Sequence, residues 1–115
     1  MKMVNRAAFI ITPKEPYIEW AGSIDADSAT AVKGIVGEHT IYLASDDIID
    51  GSDPPLIEDH FSRIFDQELE AWSLDESTWP KRRDRETFER WFDVVLVSSV
   101  FDLSKGRISA VDADF

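Results

Sequence analysis

The sequence predicts an α+β protein, a small two-layer sandwich of helices on a mixed β-sheet. Three observations lead there. Apolar runs of strand length occur at residues 6–11, 39–45 and 94–103. Between them, apolar residues recur at steps of three and four, the period of helices packed on one face. Helix-start signals stand before those stretches, so the expected order is β-α-β-α-α-β, with three to four strands and two to three helices. At 115 residues and 43% hydrophobic, the chain holds enough apolar material for one core, and residues 1–115 read as a single domain.

Residues 6–11 (RAAFII) have the continuous apolar character of a buried strand. Thr12-Pro13-Lys14-Glu15 then matches a capping box, with the Thr12 hydroxyl as acceptor, Pro13 at the first helical position and Glu15 reaching back. A helix is expected over 13–23, with Tyr17, Ala21 and Ile24 facing inward and Ile18 beside them. Residues 23–38 are small and polar, broken by Gly34 and Gly37, and read as the longest loop, with room for one helical turn at 28–33. The second strand, 39–45, places Ile41 and Leu43 on one side and Thr40, Tyr42 and Ala44 on the other. The first strand, helix and second strand fit a right-handed parallel crossover.

DDIIDGSDPP (46–55) is a connector of turn residues ending in Asp53 as N-cap and Pro54 at the first helical position. A long helix is expected over 54–73. Its apolar stripe is Ile57, Phe61, Ile64, Phe65, Leu69 and Trp72; Glu58, Asp59, Ser62, Arg63, Asp66, Gln67 and Glu70 lie on the other side. SLDESTWP interrupts the pattern before a shorter helix over 84–92, with Phe88, Trp91 and Phe92 inward. The last strand, VVLVSSVFDL, is apolar on both faces through Leu96 and Val97, the pattern of a strand central in its sheet. After Gly106 the tail adds an edge strand or stays loose.

The formal net charge of -11 is unevenly spread. Residues 46–80 carry eleven acids against Arg63 alone, whereas 81–115 carry seven of each sign. A strongly negative face repels nucleic acid and anionic membranes, and it attracts a basic partner. Without cysteine there are no disulfides and no zinc thiolate site. The apolar run AAFII is too short for a signal-peptide core, and no stretch approaches the roughly 20 residues of a membrane span. A soluble, cytoplasmic protein is expected.

Catalytic frames are missing. The acidic connector fails as a calcium loop: with Gly51 at the sixth position, Asp46 falls first and Asp50 fifth, but Ile48 falls third and Ile57 twelfth, where a bidentate Glu is needed. His39 and His60 have no metal-binding spacing, and no serine stands in a G-x-S-x-G frame. No cofactor and no catalytic residue is assigned.

WPKRRDRETFERWF (79–92) is the most unusual stretch, because five of the twelve Lys and Arg residues gather there. Lys81, Arg82, Arg83 and Arg85 are expected mainly to neutralise the acidic helix alongside, with Glu86 and Arg90 paired at i, i+4. Trp79-Pro80 and the basic turn form a secondary recognition edge, since Trp and Arg dominate interaction hot spots. The candidate partner-binding residues are Trp79, Lys81, Arg82, Arg83 and Arg85 on the turn, and Asp59, Asp66 and Glu70 on the helix.

NRAAFIITPKEPYIEW, IYL, IFDQELEAW, WP and FERWFDV together resemble a family of small, acidic, uncharacterised bacterial proteins, over nearly the whole chain. The resemblance implies no activity or cofactor. Relatives often carry a histidine just before the Ser-rich part of the last strand, where this chain has Val97-Ser98-Ser99-Val100. The functional expectation is a non-catalytic protein-binding domain with an acidic interaction surface, in its sharper form an immunity-like or inhibitor protein for a basic enzyme. The alternative is a small enzyme or ligand-binding domain with a pocket lined by Trp72, Trp79 and Trp91.

Overall fold

The computed structural model describes residues 1–46 and 55–113. The architecture is α+β, with four α-helices and two small antiparallel sheets among the described residues. Strand β1 is Lys2–Met3, β2 Arg6–Pro13, β3 Thr40–Ser45, β4 Phe92–Val97 and β5 Phe101–Asp102. The helices are α1 Glu15–Gly22, α2 Ala26–Ala31, α3 Phe61–Glu70 and α4 Arg85–Trp91. The main sheet has the order β3-β2-β4, and β1 pairs with β5 as a two-stranded arm.

Alternation decides which side chains reach the core. Along β2, Phe9 and Ile11 are buried beneath the helices; Tyr42 and Ala44 of β3, and Phe92 and Val94 of β4, share that face. From the helices come Tyr17, Ala21, Ile64, Phe65, Leu69 and Phe88. Phe65, Phe88 and Phe92 form a triangle of rings with centroids 5.2 to 5.7 Å apart. Aromatic edges and faces meeting at this distance add to the area buried.

Both neighbours of β2 run antiparallel to it, so the sheet is not mixed and the expected parallel crossover is absent. The physical reason is the route of the connections. α1 and α2 pack on one another, and the chain re-enters the sheet at the end it left: Thr40 pairs with Ile11. Phe92 likewise pairs with Pro13. The central strand is therefore β2, and the last strand lies at an edge.

Element ends also differ from expectation. Thr12 and Pro13 stay in β2, and the Thr12 hydroxyl hydrogen-bonds His39 Nδ1 at 2.6 Å instead of capping a helix. α1 starts at Glu15, with Lys14 at the N-cap and Pro16 in its first turn. The expected loop at 23–38 contains α2, capped by the Asp25 carboxylate accepting from the Ser28 N–H at 2.7 Å, followed by a 3-10 turn at Val32–Ile35. The long helix is shorter than expected: a 3-10 turn at Ile57–Asp59 precedes it, and His60, at φ -126°, separates that turn from α3. Its expected cap, Asp53-Pro54, lies outside the described residues. The last strand divides into β4 and β5, and the described part of the tail adds no strand.

Candidate partner-binding surface

The basic turn is held by one carboxylate. Asp84 caps α4, accepting from the Thr87 N–H at 2.9 Å and the Thr87 hydroxyl at 2.7 Å, while Arg82 Nε donates to its other oxygen at 2.6 Å. Those Thr87 and Arg82 hydrogen bonds hold the Asp84 carboxyl well below the usual carboxylate range. The next arginines tie the turn to its surroundings. Arg83 lies over the Trp79 ring at 5.6 Å, donates to Pro80 O at 2.8 Å and comes within 3.9 Å of Asp66 on α3. Arg85 bridges Glu58 at 3.3 Å and Glu89 at 2.9 Å.

Two of the four named basic residues thus reach acids of the 57–70 region. Arg82 meets Asp84 and, at 3.7 Å, Glu86, so Glu86 pairs backward and not with Arg90, which donates to the Thr87 hydroxyl at 3.4 Å. Lys81 makes no ion pair among the described residues, and neither do Asp59 and Glu70. The ion pairs of the turn are solvent-exposed, where such a pair contributes about 0 to 1 kcal/mol.

Trp79 is not a free anchor. It is half-buried against the core, and its indole N–H donates to Ser73 O at 2.9 Å. Trp20 donates to Thr78 O and Trp72 to Ala21 O, both at 2.8 Å, and the Trp91 ring sits 5.6 Å from Phe65. The tryptophans therefore pin the 73–79 segment and α1 onto the core. Neither of the two best-formed cavities among the described residues brings Trp72, Trp79 and Trp91 together; Trp72 borders the smaller, a groove of about 320 Å³ beside Glu70 and Leu74.

The larger cavity, about 770 Å³, is an open cleft between β3 and α3, bordered by Thr40, Tyr42, His60, Arg63, Gln67 and Glu68. Tyr42 donates its phenol to Glu68 Oε2 at 2.8 Å, and Tyr17 donates to the Glu68 backbone carbonyl at 2.7 Å. Burial pushes the Glu68 carboxyl up, opposed by hydrogen bonds from Tyr42 and Thr40. Burial, with the Glu68 charge beside them, also pushes both phenols up. Glu68 is the residue that sequence reasoning missed. Its signal was positional: it stands three residues after Phe65 and four before Trp72, on the apolar stripe of α3.

Asp46 is buried, and Asp47, Asp50 and Asp53 lie outside the described residues. Among the described residues no group of three or more His, Asp or Glu side chains is placed to hold a metal ion. Nor is any described helix long and apolar enough to cross a membrane. No family model, curated protein or solved structure matches the chain. The functional reading therefore rests on the chain's own geometry.

Proposed function

We propose that the chain is a non-catalytic protein-binding domain that presents the outer side of α3 and the 79–85 turn to a basic partner, in the manner of an immunity or inhibitor protein. One observation carries the reading: Asp59 and Glu70 stay unpaired among the described residues beside Glu58 and Asp66, whose arginine contacts are long and exposed. Concentrated like charge destabilises the folded chain by self-repulsion, and a cationic partner would relieve it. The Asp84-capped turn supports the same reading, because it fixes Arg82, Arg83 and Arg85 at the border of the acidic surface and sets a register for docking.

The test uses immobilised protein and its cognate cell lysate at low and moderate salt, beside an Asp59→Lys, Glu70→Lys variant and an Arg82→Glu, Arg83→Glu variant. A specific basic protein should be retained by the wild type, with each variant and added salt lowering retention at least tenfold. Retention indifferent to charge reversal and to salt sinks the proposal.

A second reading is favoured by Glu68 alone: a carboxyl with a raised pKa, paired to a phenol at the edge of an open cleft, suits a small cationic ligand. Stabilisation by an amine library that disappears in Glu68→Gln would favour this reading over the first.

A further inference from the structure

The main sheet has a second apolar face, and no helix among the described residues covers it. Its side chains form a grid of two rungs across three strands. Leu43, Ala8 and Val97 make one rung, and Ile41, Ile10 and Val95 make the next. Leu43, Ile41 and Val95 are 51%, 61% and 54% exposed. A sheet apolar on both faces is normally covered on both. We propose that this face is a homodimer interface, in which two copies stack sheet on sheet with their strands antiparallel across a two-fold axis.

Three features point to a second copy of this chain. The first is area. The accessible surface is 7973 Å² for a 13.1 kDa chain, where a compact monomer of that mass exposes about 6,400 Å². The radius of gyration, 15.9 Å, likewise exceeds the roughly 13 Å of a compact chain this long. The excess, on the order of 1,600 Å², is more than the approximately 800 Å² that each partner buries in a standard interface. Part of it is the tail, exposed throughout 103–113, part is the open face and part is the β1–β5 arm, whose Met3 and Phe101 are 45% and 51% exposed. A two-stranded ribbon of this kind is marginal in water without something to pack on.

Shape is the second feature. Ala8 is a dimple at the centre of one rung, and Ile10 is a knob at the centre of the other. An axis lying in the interface and crossing the strands between these rungs sets each Ile10 over the partner's Ala8. An axis along the strands would set Ala8 on Ala8 and Ile10 on Ile10, leaving a void beside a clash.

Charge is the third. Among the described residues Arg6, on this face at one end of the grid, makes no ion pair, and Asp93, at the other end, makes one, with Lys14 at 3.9 Å. The antiparallel stacking brings each Arg6 to the partner's Asp93 end, twice by symmetry. The net charge of -11 does not forbid it, because the α3 acids sit on the far layer of each copy. Layers about 10 Å thick keep the two acidic faces beyond a Debye length of roughly 8 Å at physiological salt.

The experiment is sedimentation equilibrium on the full chain from micromolar to hundreds of micromolar, at low and moderate salt. The wild type should be a dimer at the upper concentrations and remain one in moderate salt. Ile41→Asp with Val95→Asp should leave a monomer whose helical circular dichroism is unchanged. Because that pair could unfold the sheet, charge variants supply the second arm: Arg6→Glu alone and Asp93→Arg alone should each weaken association about tenfold, and together should restore it. A wild type that stays monomeric at the highest concentration overturns the proposal, leaving a different protein or the chain's own tail as occupant. So does a dimer indifferent to the Ile41 and Val95 changes, and failure of the double charge variant to recover overturns the antiparallel stacking. Partner capture by the acidic surface weakens with salt and does not involve these residues, so either proposal can fail alone.

Discussion

Phe9 and Ile10 are consecutive residues of one strand, yet Phe9 is buried in the core on the helix side of the sheet and Ile10 stands on the open sheet face. The two faces have nearly the same chemistry, with Phe9, Ile11, Ala44, Phe92 and Val94 on one and Ala8, Ile10, Ile41, Leu43, Val95 and Val97 on the other. What separates them is the helical layer, which folds entirely onto the first. Apolar pattern reports that a strand face seeks cover; it does not report whether this chain or another molecule supplies it.

The largest break in that comparison is expected on the covered face. Phe65→Ala removes a fully buried ring in contact with Phe88, Trp91 and Phe92, and should cost about 3 to 5 kcal/mol in urea unfolding. A loss below 1 kcal/mol would mean the aromatic triangle is loosely packed. Next comes the polar contact at the border of the same layer. Tyr42→Phe takes the hydrogen bond from a partly buried carboxylate and should cost about 1 kcal/mol near neutral pH.

The pH dependence of that site has a definite sign. Burial raises the Glu68 pKa in the folded state, so the folded chain binds this proton more tightly than the unfolded one. Its contribution to stability is present below the ordinary carboxylate range and declines as pH rises through the raised value. The wild type minus Glu68→Gln difference in stability should therefore fall with rising pH across that window. A difference that rises there would contradict the assignment. Asp84 acts in the opposite sense, its lowered pKa giving stability that is lost as pH falls, and subtraction of the variant removes that background.

Asp84→Ala, which removes the cap of α4, should release Arg82 and lower the Tm by less than Tyr42→Phe does. The smallest effect belongs to the open face. Ile41→Thr should change dilute-solution stability by no more than about 0.5 kcal/mol, while lessening the rise of Tm with protein concentration that a dimer produces. A cost comparable to that of Phe65→Ala would show that Ile41 is already covered within one chain.

Much of the fold was legible because local chemistry and tertiary packing agree. The strands at 6–11 and 39–45 are where their apolar runs lie, and the helix expected over 84–92 is α4, Arg85–Trp91. The capping box at Thr12 failed because the β2 ladder claims the same residues: Thr12 pairs with Asp93 and Pro13 with Phe92. α2 falls in the stretch expected as loop with room for one turn at 28–33, because its residues, ADSATA, bury nothing and so carry no helical stripe. At the candidate site, the partners of Arg83 and Arg85 were legible only as opposite charge in excess nearby. Trp79 could be read as anchor or core, and the acceptor at Ser73 that makes it core lies six residues back along an irregular turn.

By itself the sequence determined the α+β class, the two apolar faces of the strands and the separation of acidic from basic segments, because each is a matter of residue order and period. Only the tertiary structure decided that the strands are all antiparallel, that the helices share one side, and that Glu68 meets Tyr42 and Tyr17. Those outcomes depend on where long connections return to the sheet, and that return is set by packing between residues far apart in the chain.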